Sequence, residues 1–200
     1  DFCLSRGLGD VYKRQELMLN ELFSQDITVT EVSDGILHIP FLSSAGVDMV
    51  LTAVKAVGNW GETGPHYPTQ DIHLDKDLPT VDKLLRDRLH TVIYPEVKKH
   101  FFIDTEFDVF ALFAIKYAMD SQKSLDIHHD QSFISASVKL NDEYEGGVLR
   151  FPRQRYDNSK IPVGDIILWP GDITHPHLCT ELETNEKHAL TIWSKPCGKW

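Results

Sequence analysis

The chain contains 200 residues, of which 42% are hydrophobic and 25% are charged, and its formal net charge is −10 at pH 7. This composition is typical of one soluble globular domain with its own core, and it excludes a disordered or fibrous protein. The acidic balance argues against a nucleic-acid partner. No apolar run approaches the roughly 18 residues of a membrane-spanning helix, which argues against a membrane partner.

Residues 1–15 are set apart from the fold prediction. Residues 10–15 resemble the translated sequence of an adapter used in sequencing libraries, so the segment is interpreted as an artefact rather than an authentic N-terminus. Its removal takes away Cys3 and leaves Cys179 and Cys197. Because two cysteines make no disulfide framework, we expect a reducing compartment, the cytoplasm.

Residues 16–106 are predicted to form a support of helices and one hairpin. Two β-branched runs at residues 27–32 and 36–41 flank a turn at 33–35, and this pattern predicts a hairpin. Residues 58–67 are rich in glycine and carry a proline, so they are interpreted as a loop.

Two amphipathic helices are predicted within this support. Ser43 or Ser44 is expected to cap a helix whose apolar positions run to residue 57. Thr80 is expected to cap a longer helix, because apolar residues recur at helical spacing from residue 81 to residue 93. Both helices are expected to cover one face of a sheet.

From residue 107 the pattern changes to short strands separated by turns. The predicted strands span residues 107–117, 132–140, 148–151, 165–169 and 189–193. Helices followed by antiparallel strands predict an α+β chain built around a β-sandwich or jelly roll.

His128, His129 and Asp130 lie immediately before one of these strands. Side chains alternate with period two in extended segments, so His128 and Asp130 point to one side while His129 points to the other. A third ligand is expected from His175 or His177, which follow another predicted strand and its turn. Two histidines and one carboxylate leave positions open on an octahedral metal, as in non-haem iron(II) oxygenases.

Lys187 lies ten residues after His177 and opens the last predicted strand. A cation there can pair with the distal carboxylate of 2-oxoglutarate, while the keto-acid end of that molecule chelates iron. The alternative interpretation is a solvated surface lysine beside Glu186. The offset from His177 favours the co-substrate role.

Residues 107–194 resemble the catalytic domain of the lysyl hydroxylases, the procollagen-lysine dioxygenases. The segments that carry this resemblance are Phe113-Ala114-Ile115-Lys116-Tyr117, Gln122, Ser124-Leu125, His128-His129-Asp130, Leu140-Asn141 and Tyr144-Glu145-Gly146-Gly147. Two further segments are similar to prolyl 4-hydroxylases, namely Gly146-Gly147-x-Leu149-x-Phe151-Pro152 and the Pro170-Gly171 turn. The resemblance implies a double-stranded β-helix, a distorted jelly roll with N-terminal supporting helices, whose dioxygenase core spans residues 107–196.

The resemblance also assigns the site, position by position. It implies that iron(II) is held by His128, Asp130 and His177. It implies that 2-oxoglutarate is contacted by Lys187, Tyr117 and Ser137. At the position of Lys187 the lysyl hydroxylases carry an arginine and the prolyl hydroxylases a lysine.

The function implied is hydroxylation of a C–H bond, foremost of a peptidyl lysine or proline side chain. Iron(II), 2-oxoglutarate and dioxygen are the expected cofactors and co-substrates, succinate and carbon dioxide the expected products, and ascorbate a further expected cofactor. Two departures from the family concern the substrate: Leu178 and Cys179 follow His177 in place of a small residue, and the loop after Asn141 is short. The alternatives are an oxygenase of a free amino acid or other small metabolite, and a jelly-roll binding module without catalysis.

Four residues near the expected site carry secondary predictions. Trp169 and Trp193 are interpreted as core aromatics rather than substrate platforms. His129 is expected to hydrogen-bond locally or to lie at the rim. Cys179, close to His177, is a hypothetical site of oxidation during turnover without substrate.

Overall fold

The computed structural model describes residues 19–62 and 69–198. The segment set apart at residues 1–15 lies outside these ranges, and so do residues 63–67 of the predicted loop. Within the described ranges, no helix is long and apolar enough to span a membrane. The division into an N-terminal support and a core stays a prediction.

The helices of the described chain come mostly before its strands. They are α1 (Ser44–Val57), α2 (Leu74–Asp77), α3 (Pro79–Arg88), a π-helical turn (Leu89–Ile93) and α4 (Tyr94–Phe101). Ser43 caps α1 as predicted, because its hydroxyl accepts the N–H of Gly46 at 3.1 Å.

The second predicted helix begins and ends elsewhere than expected. Thr80 is not its cap, because α3 begins one residue earlier at Pro79, and a proline has no N–H to satisfy at a helix start. The helix also continues past its predicted end, although Pro95 lies in its path. The N–H of Tyr94 donates to the carbonyl of Leu89, five residues back, and this wider turn accommodates the proline at the start of α4.

The strands confirm the predicted hairpin and overlap all five predicted strands. They are β1 (Thr30–Ser33), β2 (Ile36–Ile39), β3 (Gly61–Glu62), β4 (Gln70–His73), β5 (Phe107–Ala118), β6 (Leu125–His128), β7 (Ile134–Lys139), β8 (Glu145–Gly146), β9 (Leu149–Phe151), β10 (Tyr156–Asp157), β11 (Ile166–Pro170), β12 (His177–Cys179), β13 (Leu182–Thr184) and β14 (Glu186–Pro196). The predicted loop at residues 58–67 is wrong in part, because β3 lies within it and pairs with β4, a strand that was not predicted.

Two antiparallel sheets form the body of the fold. The large sheet has the order β1-β2-β11-β7-β14-β5-β4-β3, the smaller one has the order β10-β9-β12-β6, and β13 and β8 form a separate ribbon. Phe151 of β9 and Trp169 of β11 join the two sheets, with ring centroids 5.0 Å apart in a shared apolar cluster. This is the arrangement of a jelly roll.

The two faces of the large sheet have different surroundings. One face packs against α1, α3 and α4 through buried apolar side chains that include Ile72, Ala114, Val138, Ile166 and Leu190. Because side chains alternate along a strand, neighbouring residues of the same strands point the other way. These residues line a cavity between the sheets, and they include Asp71, Tyr117, Ser137 and Lys187.

Candidate metal centre

His128 and His177 stand opposite each other on neighbouring strands. His128 ends β6 and His177 begins β12, and the two residues are register partners with ring centroids 4.4 Å apart. His177 is buried, and its ring packs against Phe151 and Trp169 at centroid distances of 5.3 and 5.1 Å. The smaller sheet therefore fixes both imidazoles at one end of the cavity.

Asp130 completes a cluster of three donor groups. Its Oδ1 lies 3.7 Å from Nε2 of His128, and its Oδ2 lies 3.7 Å from Nε2 of His177. The ligand atoms of the three residues all lie within 4.8 Å of one another. Oδ2 is buried and has no hydrogen-bond partner among the residues that the structure describes. A buried carboxylate oxygen without a partner costs free energy, which a cation bound at this point would offset.

The backbone orients both histidines toward the cluster. Nδ1 of His128 lies 2.8 Å from the carbonyl of Asp126, and Nδ1 of His177 lies 3.0 Å from the carbonyl of His175. Since a carbonyl only accepts, each Nδ1 carries the proton and each Nε2 offers its lone pair to the cluster. Desolvation lowers the pKa of His177, although Asp130 opposes the shift. Two imidazole nitrogens and a carboxylate are a donor set that fits iron(II).

His175, the alternative third ligand, lies elsewhere. Its Nε2 is 2.9 Å from the carbonyl of Asp34 in the β1–β2 turn, and its Nδ1 is 2.8 Å from the hydroxyl of Thr174. A Cβ at Gly35 would come within 2.9 Å of this ring, so the turn is built around the imidazole. His175 thus ties the hairpin to the loop before β12, and its ring nitrogens have partners outside the cluster.

A cavity of about 360 Å³ opens beside the cluster. Its apolar wall consists of Phe113, Ile115, Leu125, Leu149, Trp169 and Trp193. Its polar wall consists of Thr69, Asp71, His73, Gln131, Ser137 and Thr191, and the exposed His129 also borders it. The volume is in the range of small-molecule sites, which bury most of their ligand against apolar side chains.

Lys187 is buried in the wall of this cavity and is not the surface lysine of the alternative interpretation. Only 4% of the residue is exposed, and its Nζ donates to the carbonyl of Gly147 at 2.7 Å. Nζ also lies 3.3 Å from Sγ of Cys179 and 5.0 Å from the ring centroid of Tyr117. Among the described residues, no carboxylate lies within 4.0 Å of this nitrogen. A buried ammonium without a counterion favours an anionic ligand.

Tyr117 and Ser137 also lie where the sequence predicted them, on the cavity wall. Tyr117 of β5 is the register partner of Lys187 on β14. Burial raises the pKa of Tyr117 well above its ordinary value, with Cys179 as the next cause, so the phenol stays protonated and its O–H can donate a hydrogen bond to an anion. Ser137 of β7 faces the cavity from the next strand, opposite Thr191. The structure therefore brings all six predicted site residues to one cavity.

Asp71 and His73 are among the cavity residues that the sequence analysis did not single out, and Trp193 was interpreted differently. Asp71 is 6% exposed, accepts a hydrogen bond from the hydroxyl of Thr69 at 3.0 Å, and lies 3.8 Å from Nε2 of His73. Asp71 and His73 alternate like residues on one face of a strand. The segment Gln70–His73 is nevertheless too short and too polar for its sequence to predict a strand. Both tryptophans line the cavity, but Trp169 is buried in a core cluster as predicted, whereas Trp193 is half-buried.

Comparison with known proteins finds procollagen lysine hydroxylases. No protein-family model matches the chain. It is 32% identical over 153 residues to the multifunctional procollagen lysine hydroxylase and glycosyltransferase LH3 of Homo sapiens, covering 69% of this chain and 20% of that protein. It is 29% identical over 154 residues to procollagen-lysine,2-oxoglutarate 5-dioxygenase 1 of Mus musculus, covering 69% of this chain and 21% of that protein. The chain thus spans about a fifth of the length of these curated relatives.

Solved structures with the same fold are oxygenases. A prolyl-4-hydroxylase of Pseudomonas putida superposes with a TM-score of 0.65 at 17% identity, covering 82% of this chain and 94% of that one. The viral collagen prolyl hydroxylase vCPH of Paramecium Bursaria Chlorella virus-1 superposes with a TM-score of 0.62 at 18% identity, covering 83% and 97%. These neighbours confirm the predicted double-stranded β-helix. The chain is thus similar in sequence to procollagen lysine hydroxylases and in fold to prolyl hydroxylases.

Proposed function

We propose that this chain is an iron(II)- and 2-oxoglutarate-dependent dioxygenase that hydroxylates a C–H bond and releases succinate and carbon dioxide. One observation carries the proposal. A buried cluster of two imidazoles and a carboxylate borders the same cavity as a buried ammonium that has no carboxylate partner in the described chain. A metal at the cluster and a dicarboxylate reaching the ammonium would satisfy both charges at once.

His128, Asp130 and His177 would hold the iron. Iron(II) bound there would supply the activation of dioxygen, with 2-oxoglutarate as the co-substrate that is oxidised. The residues of the chain would orient the metal and the co-substrate and would neutralise their charges. The carbonyls behind the two imidazoles keep each Nε2 directed at the metal position, and packing against Phe151 and Trp169 holds the ring of His177 in place.

Lys187, Tyr117 and Ser137 would hold 2-oxoglutarate. The ammonium of Lys187 would pair with the distal carboxylate, and the protonated hydroxyl of Tyr117 would donate to the same group. Ser137 offers a further hydroxyl from the adjoining strand. The contribution of ascorbate and a location in the cytoplasm stay predictions.

We propose a peptidyl lysine rather than a proline as the substrate, because an acidic side chain lines the cavity. Apart from the proposed metal ligand, Asp71 is the acidic residue among the described residues that line the cavity. Its carboxylate is buried, and a cationic side chain entering from solvent would gain an ion pair where solvent screens it weakly. The neutral ring of a proline side chain would form no ion pair with this carboxylate.

Succinate formation tests the proposed function. Purified protein would be incubated with iron(II), 2-oxoglutarate and ascorbate, with and without a lysine-containing peptide, a proline-containing peptide or free lysine. The His177→Ala variant would serve as the inactive comparison, and His100→Ala, which changes a surface histidine, as the matched control. We expect succinate from the wild type and the His100 variant only. Bound iron without succinate under all conditions would instead support the non-catalytic binding module, and turnover with free lysine alone would support the small-metabolite oxygenase.

A further inference from the structure

Cys179 and Lys187 are in contact at the inner wall of the cavity. Sγ of Cys179 lies 3.3 Å from Nζ of Lys187, and each residue is only 4% exposed. The proposed function uses the ammonium but has no use for the thiol. The pair therefore places an unassigned nucleophile directly against a group that the co-substrate would need.

The fold holds the two side chains in this position from different strands. Cys179 lies two residues after His177 on β12, so alternation directs its side chain to the cavity as well. Lys187 comes from β14, and the carbonyl of Gly147 fixes its Nζ at 2.7 Å. A Cβ at residue 147 would come within 3.2 Å of the lysine side chain, so the glycine leaves room for this approach. Tyr117 packs against the same cysteine in a small buried cluster.

We propose that Cys179 is a redox modification site and forms a covalent sulfur–nitrogen cross-link with Lys187 when a peroxide oxidises it. In the first step the sulfur is oxidised by two electrons and the peroxide is reduced: Cys–SH + H₂O₂ → Cys–SOH + H₂O. In the second step nitrogen attacks sulfur and hydroxide leaves as water: Cys–SOH + Lys–NH₃⁺ → Cys–S–NH–Lys + H₂O + H⁺. Sulfenic acids condense with thiols or with nitrogen nucleophiles, and here the amine is the neighbour.

The cavity gives peroxide a route to the thiol. Both residues border the cavity, which is open to solvent and leads to the proposed oxygen-using centre. Cys197 lies outside this cavity and is exposed, so it provides an internal comparison within the same chain. If exposure alone decided the reaction, Cys197 would be oxidised first. A cross-link also requires a neighbouring amine, which Cys179 has in Lys187.

The consequence for activity rests on the proposed function, whereas the cross-link itself does not. Forming the S–N bond removes the positive charge of Lys187 and pulls its nitrogen onto the sulfur. If this nitrogen holds the distal carboxylate of 2-oxoglutarate, the modified protein loses affinity for 2-oxoglutarate. Thiols reduce S–N bonds of this kind, so dithiothreitol would restore the binding.

Peptide mass spectrometry of peroxide-treated protein tests the cross-link directly. The purified full chain would be kept free of iron with a chelator, treated with hydrogen peroxide, digested, and compared with and without dithiothreitol. We expect the peptides of Cys179 and Lys187 to be joined with the loss of two hydrogen atoms, and to separate again after reduction. The Cys179→Ser variant should lose this product, Lys187→Met should carry sulfur oxidation without a link, and Cys197→Ser should keep the link. Oxidation of Cys179 to sulfinic acid without a link in the wild type, or an unmodified Cys179 when Cys197 is fully oxidised, would overturn the proposal.

A second arm separates the cross-link from the proposed function. The same treatment would be repeated with manganese(II) and 2-oxoglutarate present. Because peroxide also oxidises free 2-oxoglutarate, the link is compared at equal oxidation of the exposed Cys197. Protection of the link under this condition supports both ideas, because the carboxylate then competes with sulfur for Lys187. A cross-link that forms equally well with 2-oxoglutarate supports the modification site and contradicts the assigned role of Lys187.

Discussion

The carbonyl of Gly171 accepts the backbone N–H of Asp130 at 3.1 Å. This bond ties the carboxylate of the proposed metal centre to the turn that follows β11. Gly171 is packed so closely that a Cβ would lie 2.4 Å from the hydroxyl of Ser135 and 2.5 Å from the carbonyl of Ser132. Gly171 therefore helps to position Asp130, although it is not itself a metal ligand.

Replacing Gly171 by alanine should weaken metal binding. The added methyl group must displace the turn, and Asp130 moves with it, so we expect the affinity for manganese(II) to fall by roughly tenfold or more, as for other groups that orient metal ligands. Titration of the purified variant with manganese(II) measures this. The matched control is Gly58→Ala, which strains the left-handed end of α1 and lowers stability away from the site. Unchanged affinity in the Gly171 variant would show that the turn does not position Asp130.

Removing the ammonium of Lys187 should impair the use of 2-oxoglutarate. Hydrogen bonds to charged groups contribute about 1.5–3 kcal/mol, so Lys187→Ala should raise the KM for 2-oxoglutarate by roughly 10- to 100-fold. The effect on kcat should be smaller, because the metal centre stays intact. Lys195→Ala, which removes an exposed lysine from the same strand, is the control. A normal KM in the Lys187 variant would refute the assigned role.

Asp71 should determine the preference for a cationic side chain. We expect the wild type to favour a lysine-containing peptide over the same peptide with norleucine, which keeps the four side-chain carbons but lacks the ammonium group. Asp71→Asn should lower this ratio of kcat/KM values by roughly tenfold, the effect of about 1.4 kcal/mol. Asp75→Asn, an exposed residue on the adjacent α2, should keep the wild-type ratio. If the ratio of kcat/KM values is the same in the wild type and the Asp71 variant, Asp71 does not select the substrate.

His188 should make the stability of the protein depend on pH. Desolvation lowers its pKa to about 4, with Lys55 as the next cause and Glu186 acting against it, whereas the unfolded chain titrates near 6.5. As pH falls from 6.5 to 4 the unfolded chain takes up the proton first, so the free energy of unfolding decreases across this window and levels off below it. After allowance for solvent screening the decrease is roughly 1–2 kcal/mol.

Urea denaturation at pH 7, 6, 5 and 4 measures this decrease. The comparison is His188→Leu, which removes the titrating group and its Nδ1, an atom without a hydrogen-bond partner in the described chain. We expect a shallower dependence on pH in the variant. Identical slopes would mean that His188 is not the titrating group.

The local parts of the fold were predictable because they depend on nearby residues. The turn at residues 33–35 predicts its hairpin, the serine pair Ser43-Ser44 predicts the helix start, and the change of pattern at residue 107 predicts the long strand β5. β4 escaped prediction because Asp71 and His73 face the cavity, and their polarity resembles that of a loop. A strand whose buried face serves a binding site lacks the apolar signal that reveals other strands.

The site was predictable in its residues but not in its geometry. The spacing of His128 and Asp130 indicated a shared side, and the structure brings them together although Asp130 lies beyond the end of β6. The pairing of His128 with His177 depends on the register of two distant strands, which no local pattern contains. The contact between Cys179 and Lys187 has the same origin, because it joins the end of β12 to the start of β14.

Anaerobic absorption spectroscopy tests directly whether one cavity binds iron(II) and 2-oxoglutarate together. Iron(II) would be added to the purified protein without oxygen, followed by 2-oxoglutarate, with Asp130→Asn as the comparison. We expect a visible charge-transfer absorption that requires both iron(II) and 2-oxoglutarate in the wild type and is lost in the variant, because a 2-oxo acid chelated to iron(II) is coloured. A wild-type protein that binds iron(II) but stays colourless with saturating 2-oxoglutarate would contradict the account.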